Sequence, residues 1–159
     1  MSAIAIFNGP KVKGTVCFKE GETWTTITLC ISGLKKNAKH GFHIHEYGDL
    51  SNGCESMGPH FNPFKKNHGG PRSSERHVGD LGNIETDGMG CAKYSFRDSV
   101  IKLSGKTNIV GRGLVIHSDP DDFGLSGHEL SLTTGNSGKR VACAVIALKG
   151  LNRPQGSHS

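Results

Sequence analysis

Long hydrophobic runs are missing from this chain of 159 residues. No stretch approaches the roughly 18 consecutive apolar residues of a membrane span. The opening MSAIAIFNGP has neither the apolar run nor the basic segment of a secretory signal. A cytoplasmic location without membrane attachment is therefore expected. Dense basic runs are missing too. The 19 Lys and Arg against 14 Asp and Glu give a net charge of +5, scattered along a chain with only 6% aromatics. That distribution argues against a nucleic-acid surface, although a general positive balance can attract a small anion. Helical periodicity is nearly absent, with room for one turn near Glu129.

What is present points to strands. Charged residues at 21% and hydrophobics at 34% describe an ordinary folded protein. Glycine, at 23 residues, is about twice its usual ~7% share, as expected for many turns between short strands. Alternating or β-branched stretches at 3–8, 12–19, 24–32, 41–46, 79–85, 90–98, 108–110, 113–117 and 141–148 predict about eight strands. In Trp24–Ser32, Ile27, Leu29 and Ile31 fall on one face. The expected fold is all-β, an eight-stranded antiparallel barrel or sandwich with two long loops. Residues 1–150 form one domain, and the polar stretch 151–159 is set outside it.

The region from Gly41 to Asp80 carries the chemistry. It holds five of the nine histidines, and beyond Asp49 it has almost no regular pattern. Connections longer than roughly 15 residues without structure of their own are uncommon in compact domains. His43 and His45 stand two apart, which on a strand sends both imidazoles out of one face toward a common ion. His60, His68, His77 and Asp80 follow at gaps of eight, nine and three residues. Three histidines and a carboxylate make a plausible closed tetrahedral zinc set. A solvated polar face explains a lone HxH, but not the joint pattern. Five cysteines are an odd number. Cys17, Cys30 and Cys91 lie in apparent strands and are expected to be buried free thiols. Cys54 and Cys143 could tie the long loop to the barrel, a pairing that spacing alone does not prove.

The segments HGFHIHEYGD, GPHFNP, HGGP, ERHVGDLGN, GRGLVIH and GNSGKRVACAVI, in that order, resemble the copper/zinc superoxide dismutases from the first strand to about Leu148. The resemblance implies a Greek-key β-barrel of immunoglobulin-like type. It also implies conversion of superoxide to dioxygen and hydrogen peroxide by copper redox cycling, a homodimer, and a possible copper chaperone for loading. It assigns His43, His45, His60 and His117 to copper, and His60, His68, His77 and Asp80 to zinc, with His60 bridging. Asp121 matches the carboxylate that links His43 to His68. Cys54 and Cys143 match the family's disulfide, and Arg140 the arginine that receives the anion.

The chain departs from the family in Glu129-Leu130-Ser131-Leu132-Thr133-Thr134-Gly135-Asn136, where relatives carry a second acidic residue and a lysine. Leu130 and Thr133 stand there instead, so a weaker or rearranged steering field is expected. A non-catalytic copper-binding or chaperone-like protein on the same fold is the rival, but it usually lacks a ligand or the arginine. A zinc hydrolase using His43, His45 and His117 would have no need of a second ligand set.

Overall fold

The computed structural model describes residues 1–150; the polar tail at 151–159 lies outside the described residues. Nine strands run in chain order: β1 (Ser2–Asn8), β2 (Lys13–Glu20), β3 (Thr25–Ser32), β4 (Lys39–His45), β5 (Ser51–Cys54), β6 (Asp80–Glu85), β7 (Ser95–Asp98), β8 (Gly113–His117) and β9 (Arg140–Leu148). Eight of them form one antiparallel sheet in the order β6-β4-β8-β9-β1-β2-β3-β7. The sheet curls into a nearly closed barrel, with β6 and β7 as its two edges. The only helical pieces among the described residues are 3-10 turns at Glu55–Met57 and Gly105–Thr107. Among the described residues no helix is long and apolar enough to cross a membrane.

Strand alternation builds the core. Val16 and Phe18 of β2, Ile27, Leu29 and Ile31 of β3, and Phe42 and Ile44 of β4 are buried and belong to one apolar cluster. Burying such side chains is worth about 1.5–3 kcal/mol each. β4 differs from the alternating strands β1–β3 because it is covered on both faces, from His40 to His45, as its neighbour β8 is throughout. Phe42 and Ile44 fill the barrel, so His43 and His45 must leave the other face. There the segment 46–79 and the loop 118–139 cover them, which is why two imidazoles can be buried on the outside of a barrel.

Several local expectations change. Ser51–Cys54, read as loop, is a short strand outside the main sheet. Residues 108–110 form no strand; Asn108 makes one isolated bridge to Lys102. Only Ser95–Asp98 of the 90–98 stretch is a named strand, although Ala92 bridges Ile31. Residues near Glu129 form hydrogen-bonded turns without a helix. The free cysteines are not buried: Cys30 is exposed, and Cys17 and Cys91 are half-buried. Cys17 and Cys30 fall out of phase with the inward residues of β2 and β3, so alternation sends them outward.

Candidate metal centre

Register brings the histidines together. β4 and β8 pair Phe42 with Ile116, His43 with Val115, Ile44 with Leu114 and His45 with Gly113. Residues in register share a face, so His117, two beyond Val115, leaves β8 on the side of His43. A bulge between Ile116 and His117 then sets His117 opposite Arg140 of β9. His60 reaches the same face through an isolated bridge to His45. Asp80 opens β6 directly beside His43.

Two four-residue donor clusters result, and one member is common to both. The donor atoms of His43, His45, His60 and His117 lie within 4.8 Å of one another, as do those of His60, His68, His77 and Asp80. All are buried.

Hydrogen bonds fix which ring nitrogen is left over. His43 Nε2 donates to Asp121 Oδ2 at 2.5 Å, His45 Nδ1 to the Gly58 carbonyl at 2.8 Å and His117 Nδ1 to the Gly138 carbonyl at 3.3 Å. Each neutral ring then keeps a lone pair on its other nitrogen. His43 Nδ1, His45 Nε2, His60 Nε2 and His117 Nε2 are all buried without a partner. Four convergent, unpartnered acceptors would be costly without a cation among them. An all-imidazole set suits copper in both oxidation states.

In the second cluster Asp80 Oδ2 is occupied by the backbone N–H groups of His77 (2.7 Å) and Gly69 (3.0 Å). That leaves Oδ1, which lies 3.0 Å from His60 Nδ1, 2.9 Å from His68 Nδ1 and 3.2 Å from His77 Nδ1. His60 Nδ1 and His77 Nδ1, both ring nitrogens, face each other at 3.1 Å. Ligands about 2.0 Å from a tetrahedral zinc ion lie about 3.3 Å apart, so the donor set fits that ion.

The electrostatics agree. Burial, helped by His117, holds His43 well below the ordinary histidine value; burial and His60 do the same for His45. Burial and His43 lower His60, and burial lowers His117 despite its bond to Gly138. These rings are neutral and ready to ligate at pH 7. For His68 burial is the largest effect and pulls downward, but the bonds to Asp121 and Asp80 outweigh it and push the ring up to about 9. Burial would raise Asp80, but contacts from His60, His68 and His77 drive it far below the usual carboxylate range.

Residues 12–146 match the family described as copper/zinc superoxide dismutase (SODC). The chain is 62% identical to the Superoxide dismutase [Cu-Zn] of Paramecium bursaria Chlorella virus 1 over 146 residues, covering 92% of this chain and 78% of that one. It is 56% identical to the enzyme of that name from Yarrowia lipolytica and 53% identical to that of Saccharomyces cerevisiae, each match covering 93% of this chain and 98% of the relative. Its backbone superposes on the crystal structure of the clock protein EA4 with a TM-score of 0.90 at 43% identity, covering 93% and 94% of the two chains. The chain belongs to the copper/zinc superoxide dismutase family. Its activity is the conversion of superoxide to dioxygen and hydrogen peroxide, with copper and zinc as cofactors.

In this superoxide dismutase Arg140 stands at the start of β9, half-buried, and donates from Nη1 to the Cys54 carbonyl at 2.9 Å. Its charge helps depress both His45 and His117, which places it beside the first cluster. A Cys54–Cys143 disulfide ties that carbonyl to β9, closing a separation of 89 residues. Asp121 sits behind both clusters. Its Oδ2 accepts from His43, and its Oδ1 accepts from His68 Nε2 at 2.7 Å and from the Phe123 N–H at 2.8 Å.

Sequence reasoning named the members of both donor clusters and Asp121 behind them, and missed the backbone groups that support them. Gly58, Gly138 and Cys54 act through backbone carbonyls, which no side-chain pattern reports. Asn83 was also missed: it clamps Asp121 by accepting its N–H (2.7 Å) and donating to its carbonyl (3.1 Å). The asparagine of ERHVGDLGN was the available signal. Gly135 has a φ of +73°, and a β-carbon there would collide with Asp121 Oδ1 and His68 Nε2.

Proposed function

We propose that His43, His45, His60 and His117 hold the copper ion of this dismutase, and that His60, His68, His77 and Asp80 hold its zinc. The observation that carries this reading is His60: its Nδ1 faces Asp80 and His77, while its Nε2 is buried and unpartnered on the side of the other cluster. Bound copper supplies one-electron acceptance and return, and bound zinc supplies fixed positive charge. Arg140, permanently charged, receives superoxide and opposes its negative charge. Its bond to Cys54 pins one nitrogen and leaves the rest of the guanidinium for the anion. His60 Nε2 is the lone pair that takes up a proton during turnover and delivers it to the departing peroxide. Asp121 and the Gly58 and Gly138 carbonyls hold four rings, those of His43, His68, His45 and His117, in the tautomers that leave their other nitrogens free.

The test compares metal content and dismutation for the wild type and His117→Ala. Loss of copper and of activity with zinc retained is expected. A variant that keeps copper and full turnover overturns the assignment.

The same reading extends to assembly and location. Tyr47, Leu50 and Leu148 are large apolar side chains more than half-exposed or nearly so, and Gly48 packs against Gly111, with Val110 next to it. This patch supports a homodimer, which sedimentation of wild type beside Leu148→Arg checks by a shift to monomer. A cytoplasmic location belongs to the same reading, and fractionation of cells expressing the protein tests it. Loading by a copper chaperone is tested by the copper content of protein made with and without one.

A further inference from the structure

We propose that the gap between β6 and β7 is a binding site for a small aromatic anion, an aryl ring carrying phosphate or carboxylate. These strands are the two edges of the sheet, and between them lies a cavity of about 790 Å³. That is the size of a small-molecule site, for which about 300–1,000 Å³ is usual. Its walls include the rings of Trp24, Tyr94, Phe96 and Phe123 and the guanidinium groups of Arg72 and Arg97.

The charge balance of the gap is uneven. Glu85 is offset by Lys39 at 3.6 Å, and Asp98 is buried against Arg76 at 2.8 Å. Neither Arg72 nor Arg97 has an ion pair, and neither side chain makes a hydrogen bond among the described residues. Arg97 instead lies over the Trp24 ring, 4.9 Å from its centre, with its donor fork free. Such a fork matches phosphate and carboxylate geometry. Tyr94 adds a donor. Its hydroxyl oxygen accepts the Glu85 N–H at 2.8 Å, so its own hydrogen is available, and burial keeps it protonated.

The aromatic part of the ligand follows from the walls, since stacked or edge-on rings gain attraction beyond burial alone. An added peptide strand fits less well. Arg97 on β7 and the Lys39–Glu85 pair beside β6 put charges along both edges, which is how proteins block strand addition. A small anion meets no such obstacle. The floor of the gap also reaches the metal support, because Asn83 and Phe123 both bond to Asp121.

The chain has one tryptophan, and it stands in this gap. Phenyl phosphate is titrated into the metal-loaded enzyme while tryptophan fluorescence is followed, with phenol and inorganic phosphate as the two halves of the probe. Saturable quenching is expected, with each half about tenfold weaker or worse. Arg72→Gln/Arg97→Gln should weaken phenyl phosphate by a similar factor and leave dismutation unchanged. The proposal is overturned by non-saturable quenching, by inorganic phosphate binding equally well, or by undiminished affinity in the double variant. It is also overturned if phenyl phosphate competes with superoxide, because that would place the probe at Arg140.

Discussion

Replacing Asp121 with asparagine separates the two halves of the centre. The carboxylate accepts from both His43 Nε2 and His68 Nε2 and from the Phe123 N–H, and it is buried. An amide of the same shape keeps one acceptor oxygen and turns a donor toward the other ring. The ring facing that donor must move or transfer its proton to Nδ1, the atom needed for metal. His43 is locked in β4, paired on one side with β8 and on the other with β6. His68 sits in the loop, restrained by the Asp121 bond, one backbone bond to Leu132 and its contact with Asp80 rather than by a strand. His68 should therefore give way, and zinc should suffer more than copper. Loss of such a supporting bond typically costs about 10–100-fold in metal affinity, or about 1.4–2.8 kcal/mol. Chelator competition monitored for each metal measures this directly. Zinc affinity within twofold of wild type, or a larger loss for copper than for zinc, would refute the argument.

Thr133→Lys should add positive charge to the loop 118–139 that covers the histidines, raising the rate at low salt and steepening its fall with ionic strength. Identical salt profiles for variant and wild type would dismiss Thr133 as the cause of weak steering. Cys143→Ser releases a loop of 89 residues and should cost about 2–5 kcal/mol in a thermal melt. Turnover should also fall as Arg140 loses its fixed anchor at Cys54, and unchanged turnover in the folded variant would dismiss that anchor. In metal-stripped protein, His43, His45, His60 and His117 bind protons more weakly when folded than when unfolded, so unfolding takes up protons below about pH 6.5. Stability should then fall with pH by up to about 1.4 kcal/mol per unit for each ring. His68, raised to about 9, contributes fully below its unfolded value and loses that contribution as pH rises through about 9. Calorimetry that shows a flat stability between pH 5 and 7 would contradict these burial effects.

Much of the fold and most of the centre could be read from the chain, for a physical reason. Ligands set by strand geometry leave a linear trace: the two-residue step of His43 and His45 is the strand period itself. The barrel was legible in Ile27, Leu29 and Ile31, whose alternation survives because one face is buried and the other is not. The same rule, applied strictly, would have placed Cys17 and Cys30 outside, since they fall out of phase with Phe18 and Leu29. Short elements such as Ser51–Cys54 left little trace, because four residues carry too little pattern to outweigh their Ser, Asn and Gly content.

The division between strand and loop also orders the assembly of the centre. His43, His45 and His117 stand on β4 and β8, so folding of the barrel alone brings three of the proposed copper donors into register. His68 and His77 lie on a segment with few regular bonds, and Asp80 holds them through contacts that a cation between the four donors would strengthen. A zinc ion there would therefore do more to order its segment than copper would to order the strands. His60 belongs to both clusters, so a zinc ion held at its Nδ1 would aim its Nε2 at the other cluster. A zinc-free chain should hold its strands and three of its copper donors, and lose the aim of the fourth.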